Sequence, residues 1–274
     1  MSTMAATGGP AHTRPTPSQR AFLGASALLF AASVAVTIAW CRSMSAMGVM
    51  PMPGGWSMTM TWMRMPGRTW PGAAIAFLGM WAVMMVAMML PALLPTLRRY
   101  HAAVLRTPGA RAGRLAALVG AGYFATWIAF GAAAYPAGAV LAALAMRQPG
   151  LARAVPAAIG AAVAIASALQ LTRWKARRLA CCRNTAGHRE RPPAGTAGAW
   201  WLGVHLGLQC ARCCGNLMVI LLLLGVMDVA VMTAVAAAVT CERLAPPAWP
   251  VARVIGFAGV AAGLVLVARA AGLG

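Results

Sequence analysis

Residues 200–240 read WWLGVHLGLQCARCCGNLMVILLLLGVMDVAVMTAVAAAVT, with one Arg, one Asp and one His in the whole run. About 20 apolar residues cross the hydrocarbon core of a bilayer as a helix. This run is roughly twice that length, so it fits two helices that turn near Gly225–Asp228. Outward from it, further apolar segments lie at 21–40, 73–95, 115–146, 151–171 and 251–268. The expected fold is therefore all-α, a polytopic transmembrane helix bundle of six to seven spans.

Composition points the same way. The 274 residues hold 23 Lys+Arg against 3 Asp+Glu, a formal net charge of +20, yet only 9% are charged and 61% are hydrophobic. A soluble domain needs about 25% charged residues to coat its surface. Nucleic acid as a partner would need a basic face on a folded soluble domain, and no such element is present. The lipid bilayer is the expected partner, and the charges read as markers of topology.

Lys and Arg near span ends stay cytoplasmic. They concentrate at Arg98, Arg99, Arg106, Arg111 and Arg114, and again at Arg173, Lys175, Arg177, Arg178, Arg183, Arg189 and Arg191. Those two connections read as cytoplasmic basic loops, which places the N-terminus inside too, with Arg14 and Arg20. Residues 1–20, rich in Pro, Ser, Thr and Gly, read as a disordered tail. Residues 21–72 read as a first span with a Met-rich external loop, and 73–274 as the main membrane domain. Trp40, Cys41 and Arg42 follow the first span where a cleavable signal would have small residues, so it reads as a retained anchor.

Thirteen of the 19 Met fall between positions 44 and 89. Met44, Met47, Met50, Met52, Met58, Met60, Met63 and Met65 crowd the loop before span two, among Pro, Gly and Trp. A thioether is a neutral, soft ligand that suits Cu(I), so Met58, Met60 and Met63 are candidates for capturing that ion. Met as flexible apolar filler, in a loop pressed on the bilayer, accounts for them equally. Span two continues with Met80, Met84, Met85, Met88 and Met89. Spacings of four put Met80, Met84 and Met88 on one face, with Met85 and Met89 about 100° round. The stripe serves either helix packing or inward relay of a metal.

Seven Cys is an odd number, and their placement is not that of a disulfide framework. Cys210, Cys213, Cys214 and Met218 are separated by threes and fours and so share one stripe of a helix. Three thiols and a thioether make a candidate soft-metal site for Cu(I) or Zn(II). Buried Cys as apolar filler is the competing reading. Cys181 and Cys182, in the second basic loop, are candidate accessory ligands. His205, a further candidate accessory ligand, is five residues before Cys210 and lies well round the helix from it. Arg212 sits in the Cys turn, where a membrane-depth cation needs a partner; it either stabilises a thiolate or pairs with Asp228. Asp228 is either a functional intramembrane acid or a solvated turn residue. His101 and His188 fall in basic loops, His12 in the tail, and Glu242 with Arg243 at the cytoplasmic end of span six.

WAVMMVAMMLPALLP (81–95), GLQCARCCGNLM (207–218), GVMDVAVMTA (225–234) and Glu242-Arg243 together resemble a bacterial family of metal-binding integral membrane proteins, in places described as membrane copper chaperones that supply copper enzymes. The resemblance covers about residues 70–270, and Cys181-Cys182 resembles a cysteine-bearing loop in the same relative place. It implies a copper-dependent enzyme as recipient and the bacterial inner membrane as location. The chain departs from the family's pattern at Arg212, where Gly is usual, at Gly215 for Trp, at Asp228 for Asn and at Arg243 for Lys.

The expected function is thus a Cu(I)-binding membrane protein, a chaperone or a delivery or tolerance factor and not an enzyme. It would take the ion at Met outside and hold it at the Cys-x-x-Cys-Cys run. Two alternatives stand beside it: a thiol-disulfide relay using Cys210 and Cys213, and a non-catalytic assembly scaffold.

Overall fold

A computed structural model of the chain describes residues 16–46, 48, 50–53, 55–58, 62, 67, 69–107, 111–184, 193, 195–245 and 248–272. The elements are α1 (Pro17–Ala46), a two-strand hairpin β1 (Met50–Met52) and β2 (Trp56–Met58), α2 (Trp70–Val104), α3 (Ala112–Arg147) and α4 (Pro149–Ala168). They continue with α5 (Arg173–Asn184), α6 (Thr196–Leu224), α7 (Val229–Leu244) and α8 (Ala248–Ala270). Six helices are long and apolar enough to cross a membrane: α1, α2, α3, α6, α8, and α4 extended by a 3-10 turn to Leu171. The polytopic helix bundle is the observed fold class. α7, with 16 residues, is a shorter seventh helix of the bundle.

The turn expected in the long apolar run is where it was read. α6 ends at Leu224, Gly225 takes a φ of 130°, and Asp228 begins α7. A φ of that sign is strained for any residue with a Cβ, so glycine is what lets the chain reverse there. By contrast, α2 does not stop at Pro91 or Pro95 but runs through both to Val104. Packing helices can re-satisfy the backbone that a proline frees inside a bundle.

Two close helix contacts organise the bundle, and both are built from small residues. At the α3–α6 contact a Cβ on Gly203 would collide with the Val119 carbonyl, one on Gly122 with the Trp200 carbonyl, and one on Gly207 with Thr126 at 2.7 Å. At the α4–α8 contact a Cβ on Gly160 would lie 2.9 Å from the Gly263 carbonyl, and one on Gly263 would lie 2.6 Å from the Ala164 nitrogen. Gly203 and Gly207, like Gly259 and Gly263, are spaced by four. Without a hydrophobic drive between helices in lipid, such small-residue stripes let backbones approach and dispersion hold them. Residue pairings rise together along α3 and α6, which are parallel, and run oppositely along α4 and α8.

α2 packs on α1, α3 and α7. Met80, Met84, Met85, Met88 and Met89 are all buried in the main core with Trp81, Tyr123 and Trp127. Trp81 Nε1 donates to the Trp127 carbonyl at 2.8 Å, and its indole lies where a Cβ on Gly131 would be. The hairpin has Met50 opposite Met58 and Met52 opposite Trp56. Met52 and Met58 are buried against Ala142, Ala145 and Ala152, and Trp56 Nε1 donates to the Ala152 carbonyl at 2.8 Å. This part of the methionine-rich loop is thus packed onto the α3–α4 corner. Met47, Met60, Met63 and Met65 lie outside the described residues.

The second basic connection is not a plain loop. Its first part forms α5, a helix with one buried stripe of Lys175, Leu179 and half-buried Cys182, spaced by four and three. Lys175, the chain's single lysine, is fully buried; its Nζ meets Glu242 Oε2 at 2.8 Å and donates to the Cys213 carbonyl at 2.6 Å. Gln170 Nε2 donates to the other Glu242 oxygen at 2.7 Å. Glu242, read from the sequence as an end-of-span marker, is 1% exposed.

Removing one partner of a buried ion pair leaves an uncompensated charge and costs about 3–5 kcal/mol. Glu242→Ala or Lys175→Ala alone is therefore expected to lower the thermal midpoint of the detergent-solubilised protein sharply. Lys175→Met with Glu242→Leu together is expected to restore most of it, because a matched apolar replacement carries no stranded charge. Fluorescence-detected gel filtration after heating checks both.

Candidate functional site

A helix turns about 100° per residue, so Cys210 and Cys214 stand roughly 40° apart while Cys213 is about 100° from Cys214. That offset divides the three thiols between two neighbours. Cys210 and Cys214 face α3 in the main core, both 1% exposed or less. Their sulfurs are 3.5 Å apart, and Cys214 also bonds back to the Cys210 carbonyl at 3.0 Å. The Tyr123 hydroxyl donates to Cys210 Sγ at 2.9 Å. Met218, one turn on from Cys214, is buried in the same cluster.

Cys213 instead belongs to a separate small core with Leu179 and Ala252, against which Cys182 and Trp249 pack. Cys182 packs against this cluster beside Cys213, and its Sγ donates to the Gln209 carbonyl at 3.2 Å. Interaction with Cys213, and burial after it, hold the Cys182 thiol well above the ordinary thiol range. The three thiols of the run thus turn to two neighbours: Cys210 and Cys214 lie in the main core with Met218, and Cys213 lies against α5, where Cys182 packs. Among the described residues, no group of three His, Cys, Asp or Glu side chains converges on one point.

The charge beside the thiols is not the one the sequence suggested. Arg212 is exposed and points away from the core. Arg243, near the end of α7, interacts electrostatically with Tyr123, Cys210, Cys214 and Cys182, and with Cys213. Its Nε is buried without a hydrogen-bond partner. Lys175 adds a second cation whose field reaches Cys210 and Cys213.

The other named residues are dispersed. His205 is exposed on α6, away from Cys210. Asp228 is exposed and caps α7, accepting from the Ala230 and Val231 amides at 2.8 and 3.0 Å, the ordinary work of an N-cap carboxylate. It is thus a turn residue and pairs with no cation at membrane depth. His101 is buried and stacks on Phe22, ring centroids 4.8 Å apart, at the α1–α2 contact. Cys181 is exposed, and His12 and His188 lie outside the described residues. α2 is joined to α6 through α3 and α7, which pack on both; Met84, Met85, Met88 and Met89 share the buried core with Cys210 and Cys214.

Sequence reasoning missed Tyr123 and misread Lys175. Tyr123 carried no local signal, being one apolar-span aromatic among several. Lys175 carried one: it is the only lysine among 23 cationic residues, in a chain with three acids.

No curated protein and no solved structure matches the chain. A family model described as PpoB2, copper chaperone, matches residues 78–266, which includes α3, α4, α5, α6, α7 and these four thiols. The match covers well over half of the sequence, and the chain belongs to this copper chaperone family.

Proposed function

We propose that the protein carries Cu(I) as cargo in the membrane and holds it between Cys210 and Cys214, with Met218 as a third sulfur on the same helix. The observation that carries this reading is the pair of buried sulfurs 3.5 Å apart in a water-poor core, with a phenol already donating to one of them. Thiolate and thioether ligands select Cu(I). A structural Zn(II) site takes four ligands in a tetrahedron, which two thiols and one thioether do not supply, so Zn(II) is the weaker candidate.

Charge supports the same ion. Cu(I) between two thiolates is a unit of net charge −1, and a buried anion is costly unless paired. Arg243, with an unpartnered Nε, and Lys175 supply positive field at that point. Tyr123 would keep its bond to a Cys210 thiolate, where a hydrogen bond to charge is worth about 1.5–3 kcal/mol.

In this reading the chain is a multi-pass protein of the bacterial inner membrane with a cytoplasmic N-terminus, and a copper-dependent enzyme is the recipient. It carries out no catalysis: copper moves by exchange between ligands of rising affinity. Met84, Met85, Met88 and Met89 on α2 are the proposed relay towards the thiols, and Met60 and Met63 the outer capture residues. Met58, packed against the α3–α4 corner, fits a structural role better. A relay by a Cys210–Cys213 disulfide is less favoured, because those two sulfurs turn to different neighbours.

Full-length protein purified in detergent under reducing conditions is expected to bind Cu(I), measured by mass spectrometry of the metal after gel filtration. Cys210→Ala with Cys214→Ala is expected to remove the copper held by this couple; unchanged stoichiometry would sink the assignment. Tyr123→Phe is expected to weaken Cu(I) binding about tenfold or more in chelator competition, as loss of a charge-assisted bond predicts. Arg243→Gln is expected to do likewise, with Arg212→Gln at wild-type affinity. Equal effects at the two arginines would contradict the placement of charge.

A further inference from the structure

Cys213 is the one thiol of its run that turns from α3 to α5, and what it meets there is another thiol. Cys182 is delivered to it by the buried stripe of α5, one turn beyond Leu179. The two pack together in one small cluster with Leu179, Ala252 and Trp249.

We propose that Cys182 and Cys213 form a second Cu(I)-binding couple that bridges α5 and α6 and exchanges the ion with Cys210–Cys214. This rests on the reading of Cys210–Cys214 as a Cu(I) site.

Three observations beyond the sulfur pair support it. First, both halves of the couple are anchored to the same stretch of α6. Lys175 donates to the Cys213 carbonyl at 2.6 Å, and Cys182 bonds to the Gln209 carbonyl at 3.2 Å. Lys175 is in turn locked by Glu242 at 2.8 Å, so α5 is held where its thiol meets Cys213. A packing role for Cys182 would not need that anchoring. Second, Arg243 senses the thiols of both couples, and its buried Nε has no partner. One guanidinium can therefore offset the negative charge of a Cu(I)-dithiolate in either position. Third, Cys182 is itself only half-buried, where Cys210 and Cys214 are 1% exposed or less. The second couple thus lies nearer the surface than the sealed Cys210–Cys214 pair.

The exchange balances without electrons. Three Cu–S bonds, to Cys210, Cys214 and the neutral thioether of Met218, break while two to Cys182 and Cys213 form. The receiving thiols give up two protons and the released thiolates take up two. Copper stays Cu(I) throughout, and a three-coordinate intermediate with both sulfurs of one couple and one of the other is accessible to this soft ion.

The test uses full-length protein in detergent micelles, reduced, with a chromophoric Cu(I) chelator as competitor and metal mass spectrometry for stoichiometry. Wild type is expected to hold about two Cu(I) per chain at saturation, by the two couples and the preference of soft thiolates for that ion. Cys182→Ala and Cys213→Ala are each expected to lose the same one equivalent, and the double variant to lose no more. Release of copper from the remaining Cys210–Cys214 site to the chelator is expected to slow at least tenfold in all three. Cys182→Ala with wild-type stoichiometry and release rate overturns the second couple and leaves the first site standing. Wild type that binds no Cu(I), or a Cys210→Ala, Cys214→Ala variant that binds as wild type does, overturns the underlying reading instead. Because a variant can misfold, the wild-type chain gives an independent readout. Added Cu(I) is expected to protect Cys182 and Cys213 together from alkylation, read by peptide mass spectrometry. Alkylation of Cys182 at the same rate with and without Cu(I) overturns the couple without any substitution.

Discussion

The ion pair between Lys175 and Glu242 is the constraint on which the centre of this protein depends. Each group is expensive to bury alone, and their attraction repays desolvation only when further hydrogen bonds complete the geometry. Here the carboxylate accepts from Gln170 and the ammonium donates to the Cys213 carbonyl. One interaction therefore ties α5 to α7 and to the middle of α6. It does so at the turn of α6 that carries the thiols, and near the end of α7, which brings Arg243 beside them. With Leu179 buried beside Cys213 and Cys182 bonded to the Gln209 carbonyl, that pair draws a helix as basic as α5 against a hydrophobic one.

The second organising force is close backbone approach. Gly203 and Gly207 allow α6 to lie on α3 with no side chain between them, and this brings the Tyr123 hydroxyl to Cys210. Dispersion and a small number of polar contacts do in lipid what apolar burial does in water. The methionines of α2 belong to the same economy of packing. Five of them fill the core around Trp81 and Trp127, where an unbranched, polarisable side chain adapts to irregular gaps, in the same buried cluster as Cys210 and Cys214.

The spans and the Gly225–Asp228 reversal were legible in the sequence because length and hydropathy decide them almost alone. The placement of the thiols was only half legible. Spacing says that Cys210, Cys213 and Cys214 share a broad face of a helix, and it is silent on which neighbour each one meets. That depends on α3 and α5 arriving from opposite sides, a property of topology. Arg212 drew attention because it stands inside the motif, yet a residue between two buried positions of a helix points outward by geometry. The arginine that faces the sulfurs, Arg243, lies more than 25 residues further along and returns through the α6–α7 reversal. Lys175 was hidden among arginines that mark topology, although its being the only lysine was a signal available from composition.

The chain belongs to a copper chaperone family, and the central proposal made for it is that the bundle holds Cu(I) on thiols at its core. X-ray absorption at the copper edge of the full-length, reduced, Cu(I)-loaded protein tests it most directly. The account predicts a Cu(I) edge and a first shell made of sulfur, reduced in amplitude by Cys210→Ala with Cys214→Ala. A first shell of nitrogen or oxygen, or a sulfur shell unaltered by removing those two thiols, would contradict it.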